Sequence, residues 1–216
     1  MRPRVIVNMA PSLDGKIAPA RKRAPFVMSR HPEDHRRMLA LRASTDAVIV
    51  GATNLRMDDP DLLPSKLRVV VTRAGEQIEP SARMFDPSLG GEAVIAHAST
   101  MPESRRALFR TRATLVELGS SDVPPSKLLS WLAGERGCRT VVCEGGGALN
   151  ASFFAARVID ELRLTIVPRV LGGTQAPGIV AGEGFEPDAV PDGRLVSVER
   201  IGDEVFLVYG FEWGST

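Results

Sequence analysis

The residues with the most chemical potential in this chain fall in three short stretches. The first is Val141-Val142-Cys143-Glu144-Gly145-Gly146-Gly147-Ala148-Leu149-Asn150, a β-branched run that ends in an acid, then glycines, then a helix-like opening at Ala148. Glycine takes positive φ cheaply and lets a ligand approach the backbone. Such a turn before a helix presents free N–H groups to an anion, usually a phosphate. Glu144 precedes the turn, where a strand end aims it into the same crevice. The plainer alternative is a tight strand-to-helix connection with no ligand. The second stretch runs from Asn8 to Lys16 and the third from Gly51 to Asp59. If all three lie at one sheet edge, Lys16, Asp58 or Asp59, and Glu144 converge beside the glycine turn. One cation and two acids around a cofactor cleft suit proton or hydride chemistry. Taken singly, each is an ordinary surface charge, and aspartate before proline is a common turn residue.

Strands and helices must place these stretches. Arg4 to Ala10 reads as a buried strand, followed by a turn from Pro11 to Ile17. Ala18 to Arg30 is basic and contains proline, which predicts an exposed loop. Pro32 suits the first position of a helix to about Arg42, with Met38, Leu39 and Leu41 as its apolar side. His31 and His35 stand four apart, but no further Cys or His lies nearby, so a metal is not expected. Strands follow at Thr45–Gly51, Leu67–Thr72, Glu92–His97 and Ala113–Leu118. Ala52–Met57 reads as a short helix or turn, and helical segments are expected at Pro102–Arg110 and Pro125–Glu135, the last with Leu128, Leu129 and Leu132 at helical spacing. Arg139–Glu144 feeds the glycine turn, and Leu149–Val158 continues as the helix behind it. Asp160–Val167 alternates polar and apolar, as a strand with one solvated face does. Pro168–Glu186 is a glycine-rich loop. Leu195–Ile201, Gly202-Asp203 and Glu204–Phe211 form a hairpin. Alternating strands and helices closed by an antiparallel hairpin predict one α/β domain with a mostly parallel central sheet flanked by helices.

Composition narrows the function classes. The chain has 216 residues, 44% hydrophobic and 25% charged, with a net charge of +1. That supports a substantial core and gives no electrostatic footprint for nucleic acid or a membrane surface. Cys138 and Cys143 are the only cysteines, so no disulfide framework is expected and a reducing cytoplasm fits. No signal peptide or membrane-spanning run is apparent.

Asn8-Met9-Ala10-Pro11-Ser12-Leu13-Asp14-Gly15-Lys16-Ile17-Ala18 resembles the opening signature of the riboflavin-biosynthesis pyrimidine reductases. Leu41-Arg42-Ala43 with Asp46 to Gly51, Arg56 to Leu62, Glu144 to Leu149, and Asp160-Glu161-Leu162 with Pro168 to Gly173 resemble its later blocks, in order. The resemblance implies a dihydrofolate-reductase-like fold, a homodimer, and NADPH-dependent reduction of a ribosylamino-pyrimidine 5′-phosphate to the ribitylamino form. It places Ala10 and Asp58 along NADPH, with Gly51, Asn54, Thr72 and the run Gly145, Gly146, Gly147, Ala148, Leu149 and Asn150, on to Ser152, also at the cofactor. Lys16, Asp58 and Glu144 become the catalytic candidates, and Ser29, Arg42, Leu62 and Glu144 the substrate contacts.

The chain departs from that pattern at several positions. Asn54 stands where the family has a threonine, and Val27 or Met28 where an aromatic precedes the hydroxyl motif. Ser65 stands where members acting on the phosphorylated pyrimidine carry an arginine, with Lys66 and Arg68 as out-of-register substitutes. The His-x-Glu and Pro-Cys-x-x-Cys ligands of the deaminase often fused to this reductase are absent, so residues 1–216 are expected to form a single standalone reductase domain. The departures motivate two alternatives: a related NADPH-dependent reductase of another heterocycle or imine, pterin-like or from specialised metabolism, and a catalytically idle nucleotide-binding paralogue.

Overall fold

A computed structural model describes residues 2–21, 25–76 and 78–214. Among these residues, nine strands form one sheet. In chain order the elements are β1 (Arg4–Met9), α1 (Pro32–Ser44), β2 (Ala47–Gly51), α2 (Ala52–Asp58), β3 (Leu67–Thr72), β4 (Glu92–Ala98), α3 (Glu103–Phe109) and β5 (Thr114–Gly119). Then come α4 (Pro125–Arg136), β6 (Thr140–Cys143), α5 (Gly147–Ala155), β7 (Glu161–Ile166), β8 (Arg194–Ile201) and β9 (Glu204–Gly210). The strand order is β5-β4-β3-β2-β6-β1-β7-β9-β8. All pairings from β5 to β7 are parallel, and the β8–β9 hairpin joins β7 antiparallel.

Parallel strands connected by crossover helices are covered on both faces, so their residues are apolar throughout. The burial follows that rule. Val5, Val7, Ile49, Val69, Val94, Val141 and Cys143 face α4 and α5, where Leu128, Leu129, Leu132, Phe153 and Phe154 meet them. Ile6, Val48, Val50, Val70, Ile95 and Val142 face the other way, against Leu41, Leu55, Phe85 and Phe109. Each fully buried leucine of α4 contributes about 1.5–3 kcal/mol by leaving water. Gly137, in the left-handed region at φ 66°, ends that helix.

Several boundaries and one face differ from expectation. The helix after the glycine turn covers Gly147–Ala155 rather than Leu149–Val158, because Gly147 can start it against a tight neighbour. In α1 only Leu41 of the expected apolar trio is fully buried, and Arg42 is buried beside it. The polar positions of β7 are not its solvated ones: Glu161 is buried in ion pairs with Arg4 and Arg163, and Thr165 is buried where it bonds Asp34 of α1. Within the basic loop, Met28 and Ser29 are buried rather than exposed, and Lys22, Arg23 and Ala24 lie outside the described residues. Among the described residues, no helix is long and apolar enough to cross a membrane.

Candidate active site

The carboxyl ends of β6, β2 and β1 meet at the glycine turn. The Glu144 N–H donates to the Ile49 carbonyl at 2.9 Å, and the Gly51 N–H to the Gly145 carbonyl at 2.8 Å. Gly145 has φ 74°, open to glycine at little cost. Asn54, in α2, donates from Nδ2 to the Glu144 carbonyl at 2.9 Å. The ends of β2 and β6 are thereby pinned together. A Cβ at Gly147 would lie 2.5 Å from the Gly178 carbonyl, so only glycine fits where the loop after β7 crosses the turn. Gly146 caps α5 without a side-chain bond, and the first intrahelical donor is the Asn150 N–H. The N–H groups of Gly147, Ala148 and Leu149 therefore open toward the crevice, as an anion requires. Asn150 is different: its Nδ2 donates to the Ile179 carbonyl at 2.8 Å, and its Oδ1 accepts from the Cys143 thiol at 3.6 Å. Its side chain is a strut under the turn.

Glu144 itself is held by Arg42. Nε and one terminal nitrogen of the guanidinium donate to its two oxygens at 2.8 and 2.7 Å, and the other terminal nitrogen donates to the Leu63 carbonyl at 3.1 Å. The side chains are 7% and 10% exposed. The fork fixes both carboxylate oxygens, a geometry a lysine cannot supply. Leu62 is fully buried in the core beneath α1, with φ 62°, so its role in the site is to bend the chain rather than to meet a ligand with its side chain.

Two acids that the sequence reading missed stand beside this pair. Ser29 donates its hydroxyl into the fork of Glu204, at 2.8 and 2.9 Å, and accepts from the His31 N–H at 3.1 Å. Ser29 and Glu204 are both buried. Asp34, in the first turn of α1, is hydrogen-bonded to Thr165 and lies near Glu204 and Glu144. Burial foremost, then the charges of Glu204 and Glu144, push its carboxyl above the usual range, against the opposing pull of Thr165 and His35. The sequence did carry a signal for Asp34. It shares a helical face with Met38, Leu41 and Arg42, at spacings of four, seven and eight.

The opposite wall is the turn after β1. The Ser12 N–H donates to the Lys16 carbonyl, and the Lys16 N–H to the Ser12 hydroxyl at 3.0 Å. Ser12 donates in turn to Asp14 at 2.6 Å, and Asp14 also accepts from the N–H groups of Leu171 and Gly172 at 3.0 and 2.7 Å. These donors, Ser12 first, hold the Asp14 carboxyl down to about 2. Lys16 pairs with Gly178 as an isolated bridge, and Ile17 reaches to 3.7 Å from the Cβ position of Gly146. The Met9 sulfur stands 3.0 Å from the Cβ position of Gly145, so Ala10, the next residue, enters the crevice alongside the turn. Asp58 ends α2, and its Oδ1 accepts from the Phe26 N–H at 3.5 Å. Thr72, at the end of β3, accepts from the Gly75 N–H at 3.0 Å. One strand further out, a cavity of about 650 Å³ opens among Ser99, Gly119, Ser120, Ser126, Lys127 and Ser130. It lies on the same carboxyl edge but away from Glu144. Among the described residues, no cluster of His, Cys, Asp or Glu is placed to hold a metal ion.

The model of the RibD C-terminal domain matches residues 3–207. The chain belongs to that family. It is 33% identical to the 2,5-diamino-6-ribosylamino-4(3H)-pyrimidinone 5′-phosphate reductase of Methanothermobacter thermautotrophicus, over 97% of this chain and 98% of the relative. The protein of the same name from Archaeoglobus fulgidus is 31% identical, over 94% and 95%. Among solved structures, Acinetobacter baumannii RibD superposes with a TM-score of 0.79 at 22% identity, over 98% of this chain and 58% of that longer one. The Saccharomyces cerevisiae riboflavin biosynthesis reductase Rib7 gives 0.75 at 18%, over 98% and 90%. The fold is accordingly the dihydrofolate-reductase-like one of these reductases, and the chain is an oxidoreductase of the riboflavin-biosynthesis type.

The RibD-family departures acquire physical meaning in this setting. Asn54 spends its amide N–H on the Glu144 carbonyl, so it braces the turn. Ser65 is buried and donates to the Leu67 carbonyl. Arg68 is no substitute for the missing arginine: it is buried and donates to the carbonyls of Met84 and Gly90, ordering the segment between β3 and β4. Lys66 remains exposed.

Proposed function

We propose that this chain reduces 2,5-diamino-6-ribosylamino-4(3H)-pyrimidinone 5′-phosphate, the substrate in the names of its full-length relatives, to the ribitylamino product with NADPH. The observation that carries the reading is the buried Arg42–Glu144 fork set directly beside the uncapped start of α5. A charged recognition element and an anion cradle share one crevice, which suits a polar heterocycle on one side and a dinucleotide phosphate on the other.

The residues fit a nicotinamide cofactor. The first-turn N–H groups of α5 are free for its diphosphate, Ala10 and Asp58 border the crevice, and Thr72 with the serine- and lysine-lined cavity beyond it suits the adenosine end. When bound, the cofactor supplies the hydride. The protein's part is to bind, orient and handle the proton. Arg42 and Glu144 orient the heterocycle and Lys16 polarises the opened sugar. Asp58 lines the cofactor side.

The hairpin supports the remaining expectation of a homodimer. β8 is exposed along its length, with Leu195, Val196 and Val198 uncovered at the sheet edge. An uncovered edge strand of this kind is a pairing surface. A single-domain cytoplasmic enzyme of two such chains is the proposed working form.

The test is NADPH oxidation at saturating cofactor, with the diaminopyrimidinone and the corresponding deaminated uracil phosphate as substrates and NADH as a parallel donor. Turnover of the diamino substrate with NADPH preference supports the reading. Tight NADPH binding with turnover of neither substrate moves the alternative heterocycle or imine substrate to the front. Solution mass by light scattering tests the dimer, and a monomer at micromolar concentration refutes it.

A further inference from the structure

The cavity at the outer carboxyl edge of the sheet is built by three elements. Ser99 follows β4, Glu117 and Ser120 mark the end of β5, and Ser126, Lys127 and Ser130 come from the first two turns of α4. Short bonds fix its rim. The Ser99 N–H donates to the Gly119 carbonyl at 2.7 Å, and its hydroxyl to the Ser120 carbonyl at 3.0 Å. The Arg73 carbonyl, next after Thr72, accepts from the Ala98 N–H at 3.1 Å and from the Thr100 hydroxyl at 3.4 Å. The ends of β3, β4 and β5 are thereby tied into one ledge from Thr72 to Ser120. Its inner end meets the start of α5, where the Cβ position of Gly51 on β2 lies 3.7 Å from the Leu149 Cβ. From β2 to β4 is two strand spacings, roughly 10 Å. The adenosine half of a dinucleotide bridges that step when its diphosphate sits on α5.

The cavity carries uncommitted positive charge. Among the described residues, no hydrogen bond or ion pair engages the Lys127 ammonium or the hydroxyls of Ser120, Ser126 and Ser130. The lining acid, Glu117, is paired with Arg106 at 2.9 Å. Asp122, in the loop before α4, accepts from the Val123 N–H at 2.8 Å. Helix α4 begins with no side-chain cap and no acid in its first turn. That turn is where a helix favours negative charge and disfavours a lysine. Lys127 and the uncapped turn therefore reinforce one another, and an anion in the cavity satisfies both. The ribose 2′-position separates the two nicotinamide dinucleotides. An acid at a strand end suits a 2′-hydroxyl, whereas a cation suits a 2′-phosphate. Thr72 and Arg73 at the end of β3, and Ser99 and Thr100 after β4, include no acid.

Resting on the proposed reductase reading, we propose that this cavity receives the 2′-phosphate of NADPH and that Lys127 is the residue that selects NADPH over NADH. The Lys127 ammonium meets the phosphate as a point charge. Ser126 and Ser130 stand four apart, on one face of α4, and their hydroxyls are free to donate to the remaining oxygens. NADH carries a neutral hydroxyl at the same place and gains nothing from the lysine. The cavity therefore sets cofactor choice, while the start of α5 serves the diphosphate common to both.

The experiment is calorimetric titration of wild type, Lys127→Ala, Lys127→Glu and Lys127→Arg with four probes: NADPH, NADH, adenosine 2′,5′-bisphosphate and adenosine 5′-monophosphate. Lys127→Ala is expected to weaken NADPH and the bisphosphate by roughly 10- to 100-fold, the loss of one bond to a charged group. NADH and the monophosphate should bind it as they bind wild type. Lys127→Glu should weaken the phosphorylated pair further, and Lys127→Arg should keep most of the selectivity. In turnover the change should sit in the KM for NADPH with kcat retained, as for binding that is uniform along the reaction. Equal losses for NADPH and NADH in Lys127→Ala overturn the proposal. So does unchanged NADPH affinity, or a wild type that binds the bisphosphate no better than the monophosphate. Lys127 is exposed, so these variants are expected to keep the fold, checked by circular dichroism. Should Lys127-dependent bisphosphate binding appear in a protein that reduces neither pyrimidine phosphate, the functional reading falls and the 2′-phosphate site stands. Turnover of the diamino substrate with NADH and NADPH alike keeps the reductase and overturns the site.

Discussion

Removing one half of the Arg42–Glu144 pair tests whether the crevice is as dry as the structure makes it. Two charge-assisted bonds link the side chains, each worth about 1.5–3 kcal/mol in such settings. With 7% and 10% exposure, solvent does little to replace a lost partner. Breaking a buried pair from one side typically costs about 3–5 kcal/mol, a large share of a domain's usual stability of roughly 5–15 kcal/mol. Arg42→Met also forfeits the bond to the Leu63 carbonyl and should lie about 1 kcal/mol below Glu144→Leu. The double variant removes both charges and should recover most of the loss. Urea unfolding of wild type, both singles and the double at pH 7 measures all of this. Single losses under about 1 kcal/mol, or a double variant equal to the sum of the singles, would refute the buried-pair argument.

The other predictions are shorter. Gly147→Ala drives a Cβ to within 2.5 Å of the Gly178 carbonyl and should cost about 1–3 kcal/mol in thermal unfolding while weakening NADPH binding; unchanged melting means the loop gives way freely. Lys16→Ala should lower kcat by roughly 100- to 10,000-fold with the fold intact by circular dichroism, and a near-native rate removes Lys16 from the chemistry. Asp14→Asn should cost stability at neutral pH, and its deficit relative to wild type should disappear as acid is added. The Asp14 carboxyl is depressed to about 2, so its contribution is present above about 3.9 and is lost as pH falls toward 2. A deficit that persists at pH 2 assigns the effect to shape rather than charge.

The middle of the parallel sheet was legible because its central strands are apolar on both faces. Val48 to Val50, Val69 to Val70 and Val141 to Cys143 leave no other reading than a buried sheet. The meeting of strand ends at the glycine turn followed from that topology: the hydrogen bonds of Gly51, Asn54 and Glu144 tie β2 to β6, and Met9 brings the end of β1 against Gly145. Individual roles were less readable. Asn150 and Leu62 stand in stretches that match the family's cofactor and substrate positions, yet the structure uses one as a strut and the other as a core residue. Motif order fixes where a backbone goes, whereas a side chain's task depends on what the rest of the fold leaves within its reach.

The polar side of the crevice shows why Asp34 and Glu204 escaped notice. Helix α1 was read through its leucines and methionine, with Arg42 as a substrate contact and no role given to Asp34. Here Leu41 and Arg42 are buried, and Asp34 and Met38 on the same face are half-buried, so the face has charged ends and an apolar middle. The same inversion appears across from it. β7 buries Glu161 and Thr165, and β9 begins with the buried Glu204. A helix and two strands that each place polar residues inward, at facing positions, have no stable packing as a plain core, because every such group costs free energy unless it is partnered. Arg42, Ser29 and Thr165 supply those partners, and Arg2 and Arg4 tie down the acids Asp160 and Glu161 at the other end of β7. Helical spacing that brings an acid and an arginine onto the face of a buried leucine is therefore evidence for a polar crevice, and β7 and β9 meet that face with matching polarity.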